Sequence, residues 1–177
     1  IGVEYMHIQN RERRRWLQKR MEPIRNRRAF STDQKLRLLQ QLADADGFEA
    51  FLKKRYVGKK RFGLEGGESL IPLLDHIIQE SPANGIREIA IGMAHRGRLN
   101  VLANVMKKSF DQIFTEFEES WTEDYLEGGG DVKYHRGYSN DRATISGENV
   151  KLTLAPNPSH LEFVTSVVLG RCRAKQR

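Results

Sequence analysis

The chain has 177 residues with a formal net charge of +7, 38% hydrophobic and 30% charged residues, 15 Gly and 5 Pro. That is one domain's worth of ordinary globular composition, neither collagen-like nor disordered. Its one cysteine excludes an internal disulfide framework and a cysteine-rich zinc site and suits a reducing compartment. No apolar run approaches the ~20 residues that span a bilayer, and no signal peptide opens the sequence.

The charge is concentrated. Nine Arg and Lys fall within residues 11–28 against Glu12 and Glu22 alone, so this stretch accounts for the whole +7 and the remainder is neutral. Residues 9–21 read as a helix with a sparse apolar stripe (Trp16, Leu17, Met21), ended by Pro23. A solvated or partner-covered linker helix suits this pattern. A nucleic-acid arm, or a scaffold helix docking an acidic partner, is the alternative for 11–28. Nucleic acid is disfavoured because Trp16 is the only ring among the charges. The chain starts at Ile1 and stops within a helical pattern at Arg177, as expected of a piece of a longer protein.

Ser31, Thr32 and Asp33 predict a helix start, followed by Leu36, Leu39 and Leu42 at helical spacing. Gly47 reads as an interruption, after which Phe48, Phe51 and Leu52 resume an apolar face to Tyr56. Past a polar, glycine-rich stretch (58–68), Ser69 to Gln79 predicts a helix apolar nearly all round and buried between layers. A Ser-Pro-Ala-Asn-Gly turn precedes residues 88–94, which read as an inner parallel strand. His95-Arg96-Gly97-Arg98 follows directly, then a helix with Leu99, Val101, Leu102, Val105 and Met106. Phe110 to Glu119 predicts another amphipathic helix, residues 131–141 a polar loop, residues 149–155 a strand, and the stretch from His160 a helix carrying Phe163, Val164, Val167 and Val168. Helix, turn, strand, loop, helix is α/β grammar.

Three loops carry the chemistry: 95–98, 133–139 and 157–160. Two follow strands directly, where α/β sheets collect ligands, and the last opens a helix, which suits a phosphate. Imidazoles beside guanidinium groups favour an anionic, oxygen-rich ligand over a metal. His7 and His76 read as incidental, and Glu65, Glu68 and Glu162 as carboxylates at helix starts. Gly130-Asp131 with Asn157 has the look of a magnesium-diphosphate motif but at loose spacing, and reads as coincidence.

Four longer strings then appear in order: Lys-Arg-Phe-Gly-Leu-Glu-Gly-Gly-Glu (60–68), Ile-Gly-Met-Ala-His-Arg-Gly-Arg-Leu-Asn-Val-Leu (91–102), Gly-Asp-Val-Lys-Tyr-His (130–135) and Asn-Pro-Ser-His-Leu-Glu (157–162). With the opening Ile-Gly-Val-Glu-Tyr-Met-His-Ile (1–8), they resemble the thiamine diphosphate-dependent, decarboxylating components of 2-oxoglutarate dehydrogenase complexes. The related 2-oxoadipate enzymes share the strings in part and are the alternative. The resemblance implies a basic helical linker arm over 1–30. It also implies, over 31–177, the N-terminal, incomplete part of a thiamine diphosphate-binding α/β domain with a mostly parallel sheet. The implied activity of the whole protein is oxidative decarboxylation of 2-oxoglutarate with succinyl transfer to a lipoyl group.

The same resemblance implies catalytic roles for His95, His135 and His160, and cofactor contacts from Arg96, Ser159 and Leu161. His135, Ser139 and Phe62 would meet the 2-oxo dicarboxylic acid. Magnesium on the diphosphate would be held by a Gly-Asp…Asn pair beyond Arg177, so the 177 residues are expected to be inactive alone. Implied partners are the lipoyl-bearing succinyltransferase and a second copy of the whole protein, with no membrane. The implied compartment is the cytoplasm of a bacterium or the mitochondrial matrix of a eukaryote.

Overall fold

The computed structural model describes residues 3–127, 132–157 and 161–177. Residues 1–37 and 38–177 form two compact units. In the first, helix α1 (Arg11–Met21) is capped by Asn10, whose side chain accepts from the Glu12 and Arg13 N–H groups, each at 3.0 Å. No residue of α1 is buried. Trp16 is exposed, with the Arg20 guanidinium lying over its ring.

Helix α2 (Thr32–Arg55) runs unbroken through Gly47. The expected interruption does not occur, because a single glycine costs a helix only about 1 kcal/mol and Ala45, Phe48 and Leu52 on either side are held in the core. In the second unit, α3 (Leu70–Glu80) buries Ile71 and Ile78 but leaves Leu73 and Ile77 half exposed. It is therefore not enclosed on all sides as its composition suggested.

Strand β1 (Glu88–Ile91) is followed by α4, a single α-turn (Arg98–Asn100) that passes into a π-helical segment, Val101–Val105. This short element is the centre of the body. Leu99, Val101, Leu102, Val105 and Met106 are all buried, packed among residues of α2, α3, α5 (Phe110–Glu127) and the sheet. Its terminal carbonyls, orphaned as at any helix end, are met by side chains of β2 (Tyr138–Ala143). Asn140 Nδ2 donates to Met106 O at 3.0 Å, and Arg142 Nη1 donates to Val105 O at 3.1 Å while pairing with buried Asp75.

The sheet order is β1-β3-β2, with β3 (Asn149–Leu154) central. β1 pairs with β3 in parallel, Glu88 opposite Lys151, and β2 pairs with β3 antiparallel, Tyr138 opposite Leu154. Two expectations are corrected here. Within the described residues the sheet is mixed rather than mostly parallel, and β1 is paired on one side only, in keeping with the partial exposure of all four of its residues. The polar stretch expected to be a loop up to Asp141 contains β2. Its outward-looking composition hides an alternation in which Tyr138, Asn140 and Arg142 turn inward and find partners. Helix α6 (Phe163–Lys175) packs Val164 and Val168 against Gly92, where a Cβ would lie 2.5 Å from Val168 Cγ2. The chain is mixed α/β.

Candidate functional site

The loop carrying Phe62 is pinned from both sides. Arg61 reaches Glu49 of α2 and Glu65, each at 2.5 Å, and Glu49 also accepts from Asn100 Nδ2 at 3.1 Å. Bonded to Arg61, the Glu65 carboxylate titrates below its usual range. Gly63 lies inside this fork, where a Cβ would meet Glu65 Oε2 at 2.0 Å. The Phe62 N–H donates to Tyr134 Oη at 3.0 Å, and its carbonyl accepts from Gly97 N–H at 2.9 Å. Its ring meets His95 at 4.1 Å between centroids and stands edge-on to Tyr134 at 5.0 Å.

Tyr134 is 1% exposed. Burial, with Glu49 as a further contributor, pushes its phenol from 10 up to about 12, so it is neutral at any physiological pH. Next to it, His135 and Asn157 are joined twice: the Asn157 N–H donates to His135 O at 2.9 Å, and His135 Nδ1 lies 2.8 Å from Asn157 O. A carbonyl only accepts, so the proton of this bond sits on Nδ1, and Nε2 is left to face a ligand.

Arg96 and Arg98 divide two roles that the sequence left undivided. Arg96 is exposed, and its guanidinium donates to Gly63 O at 3.3 Å. Arg98 is 0% exposed and donates to the carbonyls of Met93 (3.1 Å), Arg136 (2.7 Å) and Ala155 (2.6 Å). Burial pulls its guanidinium down from 12.5 to about 10, which still leaves it charged at neutral pH. The structure thus brings Phe62, His95 and Tyr134 together beside the carboxyl ends of β1 and β3, with His135 following Tyr134 in the chain and bonded to Asn157, all within residues 38–177. Ser139 sits on β2 opposite Thr153, its hydroxyl 3.4 Å from Thr153 Oγ1. Leu161 is exposed. Ser159 and His160 lie outside the described residues, as do Gly130 and Asp131. Tyr134, Glu49, Asn100 and Arg98 were not singled out by sequence reasoning. Glu49 and Asn100 carried a faint signal, as polar residues within otherwise apolar helical stretches.

Glu68 accepts from Gly66 N–H at 2.8 Å, and Glu162 occupies the N-cap of α6 with φ 73°, so both belong to turn and helix-start geometry. His76 is exposed. Elsewhere on the body, a cleft of about 680 Å³ is lined by aromatic rings of α2 and α5, among them Phe48, Phe51, Phe110 and Phe114, and contains none of the site residues. Among the described residues no three His, Cys, Asp or Glu side chains converge as a metal site, and no helix is long and apolar enough to cross a membrane.

An α/β scaffold with imidazoles and an exposed guanidinium near its strand ends has the donors that suit an anionic, oxygen-rich molecule. Comparison with known proteins says which scaffold this is. No family model matches the chain. Over 177 residues and 99% of its length, however, it is 51% identical to the 2-oxoglutarate dehydrogenase E1 component of Brucella ovis, and equally to those of Brucella canis and Brucella abortus. The chain spans 18% of the length of these relatives. By sequence it belongs to the family of 2-oxoglutarate dehydrogenase E1 components, as a segment of such a protein.

Proposed function

We propose that the whole protein of which this segment is part decarboxylates 2-oxoglutarate with thiamine diphosphate and magnesium and passes the succinyl group to a lipoyl-bearing partner enzyme, working as a homodimer. In a bacterial source the compartment would be the cytoplasm. In this reading residues 1–30 are a linker arm, residues 31–177 open a thiamine diphosphate-binding domain, and the magnesium ligands lie outside the segment. The observation that carries it is the Phe62–His95–Tyr134 cluster at the strand ends, with His135 next to Tyr134 and bonded to Asn157, coupled to the whole-chain likeness to E1 components.

The residues present fit the cofactor's chemistry. Arg96 is an exposed guanidinium whose bond to Gly63 O at 3.3 Å is long, so a phosphate oxygen is a better acceptor for it than the carbonyl it has. Arg96, Ser159 and Leu161 would hold the cofactor, which supplies the carbon nucleophile and the electron sink. The chain's own side chains orient and neutralise the substrate. His135, with its proton held on Nδ1 by Asn157, offers Nε2 to a substrate carboxylate, and when doubly protonated it is also a charge partner. Ser139 adds a hydroxyl donor one strand register away. His95, its ring tilted against Phe62, can carry a proton to or from the reacting centre, and the Phe62 ring excludes water along the substrate's methylenes. His160 would supply a third imidazole.

The test is carbon dioxide release from 2-oxoglutarate by the full-length protein with thiamine diphosphate and magnesium, run beside 2-oxoadipate. His135→Ala is expected to lower kcat/KM for 2-oxoglutarate by about 100-fold, in the range that positioned acid–base groups contribute. Near-normal turnover by the variant would remove His135 from the site. A preference for 2-oxoadipate would move the protein to the sister activity.

A further inference from the structure

We propose that Arg98 is a positioning residue: its buried guanidinium fastens the loop bearing His135 to the ends of β1 and β3, and so sets where His135 stands in the substrate pocket. The carbonyls it gathers come from three separate places. Met93 follows β1, Ala155 follows β3, and Arg136 is the residue after His135, on the approach to β2. The last two lie beside the pair of hydrogen bonds that joins His135 and Asn157. One side chain therefore ties down the imidazole's own loop and the backbone two residues before the carbonyl that fixes its tautomer.

The choice of residue argues for geometry over bulk stability. Arg98 is among the largest fully buried side chains, and among the described residues none of its hydrogen bonds is to a carboxylate. Its Nε is buried with no acceptor at all. A buried cation without a counter-charge is a poor way to stabilise a fold, since an apolar side chain of similar volume does so at lower cost. The planar fork, on the other hand, fixes the directions of three acceptors at once, which a single ammonium cannot reproduce. Three convergent carbonyls would also present negative potential to an anionic ligand, and the guanidinium offsets it.

The decisive variant is Arg98→Lys, made in the full-length protein. Amide hydrogen exchange is expected to quicken at least tenfold in peptides covering 133–138 and 152–157, and to stay within twofold in α2 and α3. Unchanged exchange in the first two stretches overturns the clamp, and so does equal acceleration everywhere, which would mark ordinary destabilisation. The kinetic arm rests on the proposed function. KM for 2-oxoglutarate should rise at least tenfold, with kcat within about threefold of the unaltered protein. A merely structural role would lower kcat through loss of active protein and leave KM alone, and that result overturns positioning. Should Arg98→Lys not fold, the unaltered protein decides: the two stretches must exchange with common protection as one unit, and independent protection overturns the clamp. If the unaltered protein does not turn over 2-oxoglutarate, the proposed function fails, while the exchange measurement still judges Arg98.

Discussion

At Tyr134 a phenol is held out of water with its oxygen accepting the Phe62 N–H at 3.0 Å, so a ring and a hydrogen bond together fix the backbone beneath the tilted Phe62–His95 pair. Removing only the oxygen, as in Tyr134→Phe, leaves that N–H without its acceptor and is expected to cost about 1–2 kcal/mol, read as a lower urea midpoint at pH 7. The same residue sets an alkaline limit. Its folded pKa of about 12 lies above its ordinary 10, so the unfolded chain loses this proton first. The contribution is present in full below pH 10 and falls as pH rises from 10 to 12. The urea midpoint of the unaltered protein should therefore fall between pH 9.5 and 11 more steeply than that of Tyr134→Phe, and parallel slopes would show that another group governs alkaline unfolding. None of this was legible in the sequence, where Tyr134 was one polar residue of a loop between two more conspicuous ones. The role of Arg98 was not legible for a related reason. Side-chain inventories count a guanidinium as a ligand, but only coordinates separate exposed Arg96 from fully buried Arg98.

Elements built on apolar periodicity were legible: α1, α3 and β3 begin and end within two residues of expectation, because apolar spacing and breakers such as Pro23 are written locally in the chain. Elements whose partners are distant in sequence were not. β2 reads as polar because its inward Asn140 and Arg142 satisfy carbonyls 34 and 37 residues away. Two glycines make the contrast quantitative. Gly47 sits within α2 with nothing inside 4 Å of a built Cβ, so Gly47→Ala should stabilise the helix by about 1 kcal/mol, seen as slower amide exchange across α2. Gly97 opens α4 at φ 71°, with a built Cβ 2.5 Å from Leu64 Cδ1. Gly97→Ala must therefore strain the turn or displace Leu64, and should destabilise by about 1–3 kcal/mol, with faster exchange at 62–64 and 95–101. Identical behaviour of the two variants would show that neither environment matters.

Across the whole chain, polar and apolar adhesion belong to different parts. The +7 lies in residues 11–28, whose helix buries nothing, while the neutral remainder leaves apolar side chains uncovered: Leu73 and Ile77 on α3, Val167 and Leu169 on α6, and Phe51 and Phe110 beside the aromatic cleft. Apolar faces of this extent in separate places favour association when nothing covers them. The 177 residues expressed alone are thus expected to self-associate at micromolar concentration, and salt discriminates the cause. Association through the basic arm, with a polyanion or an acidic partner, weakens steeply as ionic strength rises. Association through α3, α6 and the cleft persists or strengthens, because burial of apolar surface is not screened by salt. Sedimentation at 50 and 500 mM salt, repeated on residues 38–177, should give a weight-average number of copies that does not fall at the higher salt and does not depend on the arm. A monomer in either form would mean that these faces are too small or too scattered to drive association. Dissociation at high salt would instead assign the association to the arm and its charge.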